Sequence, residues 1–206
     1  MKKILISLTA AALMLLMCIS LASPALAAGT APIAENLEIK TYRNVSVGGK
    51  MSAYDPDDDV VSYEITTQPV KGKIVQGEEG SFTYTPNDNK RGKDYFGYKA
   101  VDAEGNVSQE ATVIIRIEKQ KKDVCYEDME GRAEEYAAVA LSENNIFTAE
   151  MIGGEYCFGP EKTVSRGEFL SMCMLTAGEP LINGVMSTGY EDVDAMPYWM
   201  QQYVAT

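Results

Sequence analysis

Histidine is absent from all 206 residues. That removes the commonest general base, the commonest zinc ligand and the usual partner of a serine or cysteine nucleophile, so most familiar hydrolase mechanisms are excluded. Basic charge is scarce as well: 18 Lys and Arg stand against 30 Asp and Glu, a net charge of −12. Such a chain repels nucleic acid and anionic lipid at long range, and neither is expected as a partner. Four cysteines occur, and one of them, Cys18, lies in the leader described next. The other three, Cys125, Cys157 and Cys173, cannot close a disulfide framework among themselves. Cys157 and Cys173 sit among Tyr156, Phe158, Met172 and Met174, so buried thiols are expected in preference to a bridge. Nothing in this pattern implies redox chemistry.

The start of the chain has the form of a secretion signal over residues 1–27. Lys2 and Lys3 precede an apolar run from Ile4 to Leu21, and Ala25-Leu26-Ala27 offers small residues for cleavage. An uncleaved anchor is the competing reading, because the run approaches the length of a spanning helix. Ser7, Thr9, Ser20 and Pro24, and the lack of a basic far flank, favour cleavage. Met17 before Cys18 leaves no lipid-attachment box. The mature chain would begin near Ala28 with a net charge of −14, and it is expected outside the cell.

From Ala31 to about Lys119, apolar residues recur at period two: Leu37 and Ile39; Val45 and Val47; Val61, Tyr63 and Ile65; Phe82 and Tyr84; Phe96, Tyr98 and Ala100; Val113, Ile115 and Ile117. This is the alternation of half-buried strands. Turn signals separate the sets at Gly48-Gly49, Asp55-Pro56-Asp57, Gly77–Gly80, Pro86–Asn89 and Glu104-Gly105-Asn106. The spacing predicts a sandwich of seven short strands. Its motifs, in order, are Ala31-Pro32-Ile33-Ala34-Glu35-Asn36, Ala53-Tyr54-Asp55-Pro56-Asp57, Phe82-Thr83-Tyr84-Thr85-Pro86, Asp94-Tyr95-Phe96-Gly97-Tyr98 and Asp102-Ala103-Glu104-Gly105-Asn106. Over residues 31–118 they resemble the immunoglobulin-like or cadherin-like repeats of bacterial surface proteins, which implies a spacer or adhesive module.

Residues 119–123, Lys-Gln-Lys-Lys-Asp, read as a short solvated linker. Beyond it the period becomes helical. Ala133, Tyr136, Ala137, Ala140 and Leu141 predict one helix, and Phe169, Met172, Cys173 and Thr176 a second that ends at Gly178. The second begins with a capping box, Ser165 and Glu168 each reaching the other's amide. Ile146 to Thr163 forms the connecting loop, with Ile152, Tyr156 and Phe158 folded over the gap. The opening Tyr126-Glu127-Asp128 returns as Tyr190-Glu191-Asp192-Val193, the mark of stacked similar units.

Tyr126-Glu127-Asp128-Met129, Tyr156-Cys157-Phe158-Gly159-Pro160 and Ser165-Arg166-Gly167-Glu168-Phe169 together resemble an S-layer homology domain. One full unit spans 124–178, and the start of a second spans 188–206. Arg132 and Ala133 stand where that family carries Trp, Gly167 replaces its usual Ala, and the glycine-rich part of its loop is shortened. The expected fold class is therefore an all-β immunoglobulin/cadherin-like sandwich followed by an all-α helical region.

The resemblance implies non-covalent attachment to an anionic, pyruvylated secondary polysaccharide of a thick bacterial cell wall. Arg166, at the first position of a capped helix, joins a guanidinium to the positive end of the helix dipole and suits a carboxylate. Asp128 and Asp192 are expected to orient the loop or bond sugar hydroxyls, and Tyr198 and Trp199 to stack on a sugar face. The structural alternative is an Arg166 paired with an acidic neighbour and aromatics in a core. Asp55, Asp57, Asp58 and Asp59 in one turn, with Asp102 and Glu104 at the same end, form a hard-oxygen set of the kind calcium takes; against this, Asp-Pro-Asp is an ordinary turn former and no full twelve-residue calcium loop is present. No other cofactor is expected.

Glu78-Glu79 and Glu134-Glu135 read as solvated faces, and a glycosidase pair finds no cleft to serve. The chain is thus expected to be a non-catalytic cell-surface anchor. An adhesin or assembly subunit that self-associates or binds a protein partner is one alternative. The front part of a polysaccharide-degrading enzyme is another.

Overall fold

The computed structural model describes residues 29–206 except 59, 148, 183, 185–188, 190 and 192–194. The expected signal over 1–27, Asp59 and Asp192 lie outside the described residues. Among those described, no helix is long and apolar enough to cross a membrane.

Among the described residues, nine strands precede residue 119: β1 (Ile33–Ala34), β2 (Leu37–Tyr42), β3 (Val47–Lys50), β4 (Ala53–Tyr54), β5 (Val60–Thr67), β6 (Gly72–Gln76), β7 (Ser81–Pro86), β8 (Gly92–Asp102) and β9 (Ala111–Glu118). They form a four-stranded sheet in the order β2-β9-β8-β5, a three-stranded sheet β3-β7-β6 and a small β1-β4 pair. Only β2 and β9 pair in parallel; the other ladders are antiparallel. The two main sheets enclose Val47, Met51, Phe82, Tyr84, Phe96, Tyr98, Val113, Ile115 and Ile117. Each such side chain, fully buried, contributes about 1.5–3 kcal/mol relative to exposure. Phe82 and Phe96 meet edge-on with centroids 5.1 Å apart.

Two predictions in this half need correction. Gly48-Gly49 is not a turn but the middle of β3. A Cβ on Gly49 would lie 2.3 Å from the Phe82 ring, and one on Gly48 would lie 2.7 Å from the Ala133 Cβ. Glycine is there because both faces of the strand are closely approached. The strand β6 was also missed, because its interior holds a single packed apolar residue, Ile74, between polar and exposed neighbours.

One buried carboxylate, at one end of the sandwich core, is Asp94. Its carboxylate accepts the amides of Val70 and Lys71 and the hydroxyl of Tyr84 at 2.8–3.1 Å. Burial, reinforced by Asp94, pushes the Tyr84 phenol far above its usual pKa. At the other end of the core the Tyr98 hydroxyl lies within hydrogen-bond reach of the carbonyls of Glu35 (2.5 Å) and Ser52 (2.7 Å).

After the sandwich come a 3-10 turn (Glu127–Met129), α1 (Glu135–Glu143), a hairpin of β10 (Glu150–Ile152) and β11 (Glu155–Cys157), α2 (Arg166–Ala177) and α3 (Tyr198–Ala205). The hairpin occupies the predicted loop. Residues 121–123 are exposed, and the segment is pinned: the amides of Lys121 and Lys122 donate to Glu143 at 2.8 and 2.7 Å.

Residues 131–136 lie along the edge of β3. Gly48 N donates to Ala133 O at 2.7 Å, and Tyr136 N donates to Ser46 O at 3.0 Å. This covers an edge that would otherwise offer unpaired backbone groups. A second core joins the two halves, with Val45 of the sandwich packed among Val124, Tyr126, Met129, Ala138 and Val139.

The buried stripe of α1 is Glu135, Ala138, Val139 and Ser142, rotated from the predicted face. Glu135, read as solvated, is only 3% exposed. It accepts the amides of Ser46 and Gly131, both at 3.0 Å, which is why a carboxylate occupies a core position. Helix α2 departs further from expectation. Phe169 is 64% exposed, Cys173 is exposed, and Ser171 is its buried residue. Cys157 is half-buried and all three described cysteines are free, so the expectation of two buried thiols fails.

Candidate functional site

A concave surface of about 480 Å³ opens between α1, the β10-β11 hairpin and α2. Phe147, Ile152, Phe158, Pro160, Val164 and Met172 supply its apolar lining, and Lys162, Thr163 and Glu168 its polar part. The position of the Phe158 wall is set by Asp128. Its two carboxylate oxygens accept Phe158 N at 2.8 Å and Gly159 N at 2.6 Å. Burial works to raise the Asp128 pKa, but these amide bonds outweigh it and hold the carboxyl below its ordinary value. Of the two expectations for Asp128, orienting the loop describes what its carboxylate does.

The capping box at the start of α2 is formed. Ser165 N donates to Glu168 Oε2 at 2.8 Å and Glu168 N to Ser165 Oγ at 3.2 Å. Those bonds from Ser165 hold the Glu168 carboxyl below its usual range. The helix ends as predicted, with Gly178 at φ 71°.

Arg166 is exposed at the first helical position, between the lining residues Val164 and Glu168. Among the described residues it forms no ion pair; the nearby cation that does is Arg132, with Glu134 and Glu161. Gly167 is the contact point with α3, where a Cβ would fall 2.1 Å from Met200 Sδ. That explains glycine where alanine was expected. The same contact brings the helix carrying Tyr198 and Trp199 beside Arg166. Both aromatics are exposed rather than in a core, Trp199 by 48%, with its ring against Tyr203 at 6.3 Å. Asp192 lies outside the described residues.

At the far end of the sandwich the predicted calcium ligands are only partly assembled. Asp55 Oδ1 accepts Asp57 N, and Asp57 Oδ2 accepts Thr30 N. Asp102 is held by both nitrogens of Asn106; burial works to raise its pKa, but these hydrogen bonds prevail and lower it. Glu104, expected with Asp102 at this end, comes close to Asp57 across Gly29. Among the described residues no three acidic groups converge as a metal site. One orphan remains: Asp55, 7% exposed, has a buried Oδ2 with no hydrogen-bond partner.

Residues 29–119 match the bacterial cadherin-like domain family. The sandwich is therefore similar to a bacterial cadherin-like domain, the resemblance its motif order carried. No curated protein matches the chain. Similar solved structures include the SrpA adhesin of Streptococcus sanguinis, at 19% identity over 48% of this chain and 63% of that one, with a TM-score of 0.35. The sialic acid binding region of a Streptococcus sanguinis SK1 adhesin, bound to 3'sLn, gives 15%, 48%, 32% and 0.33 by the same measures. Fibronectin(III)-like modules of Clostridium thermocellum CbhA give 13%, 47%, 51% and 0.33. The chain spans less than two thirds of each of these structures, and likeness at this level carries no functional conclusion.

Proposed function

We propose that this is a non-catalytic cell-surface protein whose region after residue 123 attaches to anionic wall polysaccharide, while the cadherin-like module serves as spacer or adhesive element. Secretion through the signal over 1–27 belongs to the same reading. The observation that carries it is Arg166, exposed and, among the described residues, without an ion pair, at a capped helix start beside an apolar groove. A carboxylate-bearing sugar would meet the guanidinium and the free amides of the helix end together, with Tyr198 and Trp199 available to its ring face. The groove wall, fixed by Asp128, needs little reorganisation on binding. Retention of the mature chain on purified wall, before and after removal of the secondary polysaccharide, tests the proposal. Equal retention on stripped wall would sink it.

A second reading rests on the uncovered apolar residues Phe169, Leu170, Leu175 and Trp199. These suit an adhesin or assembly subunit in which another copy completes the helical region. Sedimentation across a concentration range separates the two, since wall binding by a monomer would argue against assembly. Calcium at the Asp55 turn is a further element of the proposal, supported by the orphan Oδ2. Calorimetric titration with calcium, compared between wild type and Asp55→Asn, decides it.

A further inference from the structure

On the outer face of the four-stranded sheet, register sets three cations side by side. Lys40 on β2 pairs with Arg116 on β9, and Arg116 pairs with Lys93 on β8. Thr41, Asp94, Ile115 and Ile117 point inward, so alternation turns all three cations outward. Neighbouring strands lie about 4.8 Å apart, and the row therefore spans about 10 Å. The adjacent rung is Glu38, Ile114 and Tyr95, the last 56% exposed. Two more cations gather where β8 begins: Arg91 precedes it, and Lys71 Nζ donates to Arg91 O at 3.2 Å.

Like charges directly opposite on neighbouring strands are destabilising. The carboxylates facing the row are Glu38, which bonds Arg116, and Glu118 on the following rung. The Arg116 hydrogen bond holds the Glu38 carboxyl below its usual range, with Lys93 and Lys40 adding to the effect. Among the described residues Lys40 and Lys93 form no ion pair of their own. The sheet's acidic turn, Asp102 and Glu104, lies at the opposite end of β8.

We propose that this row is a binding face for an extended polyanionic glycan, whose carboxylates lie along Lys40, Arg116 and Lys93 while a sugar ring rests on Tyr95 and Ile114. Charge complementarity selects the occupant. A flat face with cations in line suits a chain rather than a compact ligand. The protein's overall negative charge repels any polyanion at long range, so binding rests on this local row, and the exposed Tyr95 and half-buried Ile114 beside it offer an apolar rest for a sugar ring. Repulsion from the distant acidic turn is screened within about 8–10 Å at ordinary salt. The face is separate from the Arg166 groove, and neither depends on the other.

The test uses the mature chain in affinity electrophoresis with polygalacturonate, with dextran as the neutral control. Retardation by polygalacturonate alone, weakening with added salt, is expected. The variant Lys40→Glu/Lys93→Glu should lose about tenfold or more in affinity. The milder Lys40→Gln/Lys93→Gln should fall between it and wild type with its melting curve unchanged. The lysine variants are also compared on an Arg166→Ala background, where the same fall in affinity is expected because the row does not include the groove. The proposal is overturned if wild type is not retarded, if dextran retards it equally, if both lysine variants behave as wild type, or if single-stranded DNA competes as well as polygalacturonate.

Discussion

Phe96 and Phe169 both sit at positions where periodicity predicts burial, yet Phe96 is sealed between two sheets and Phe169 stands largely in solvent on α2. The sandwich satisfies itself: its apolar faces meet each other, and its buried carboxylate Asp94 has three donors. The region after Ala149 contains no fully buried apolar side chain among the described residues. Helix α1 belongs energetically to the first group, because it shares a core and a strand edge with the sandwich. What divides the molecule is therefore whether a helix reaches the sheets, rather than the linker at 119–123.

This contrast is sharpest in paired core substitutions. Phe96→Ala should destabilise by about 3–5 kcal/mol in urea unfolding, whereas Phe169→Ala should change stability by about 0.5 kcal/mol or less. A large effect at Phe169 in a concentration-dependent melt would mean that a second copy covers α2. Next in size is Gly48→Val, which forces a side chain into Ala133 and should cost about 1–3 kcal/mol. It should also separate the unfolding of α1 from that of the sandwich, read by a fluorescence and a circular-dichroism probe that no longer coincide.

The pH dependence of Glu135 gives a smaller effect. Burial, the leading cause, raises its pKa above the ordinary 4.5, against the opposing amide hydrogen bonds. The folded state then holds the proton more tightly than the unfolded one. Stability from this group is accordingly greatest below the unfolded value and declines as pH rises through the folded value. Glu135→Gln keeps an acceptor for Ser46 and Gly131 and removes the charge, so stability at neutral pH should hold or rise and this slope should flatten. The lowered pKa values of Asp128 and Asp102 run the other way, their contribution being lost as pH falls through the folded values. The smallest expected change in stability is at Arg166→Ala, near zero because the side chain is exposed, while wall retention drops about tenfold.

Much of the sandwich was legible because period-two alternation in strands such as β7, β8 and β9 reports burial directly. The edges were not. Gly48 and Gly49 look like a turn until Ala133 and Phe82 are seen against them. Glu135 looks solvated until the amides of Ser46 and Gly131 arrive from segments 89 and 4 residues away. The capping box and the Gly178 stop were read correctly because they are local. The buried face of α2 was misread because helical periodicity marks an apolar stripe without stating whether anything lies opposite it. At the candidate site, Arg166, Tyr198 and Trp199 are candidates by motif position, whereas the lining by Phe147, Ile152 and Met172 emerges only from three elements meeting.

The amino-acid order by itself determined the strands that alternate clearly, such as β7, β8 and β9, the capped helix start, the acidic character and the cadherin-like motif sequence, since each depends on neighbours within a few residues. Tertiary structure alone decided that α1 closes the β3 edge, that a glutamate is a core residue, and that Lys40, Arg116 and Lys93 form one row. Those outcomes depend on groups far apart in the chain meeting at a few ångströms, where packing and desolvation, rather than local preference, set the energy.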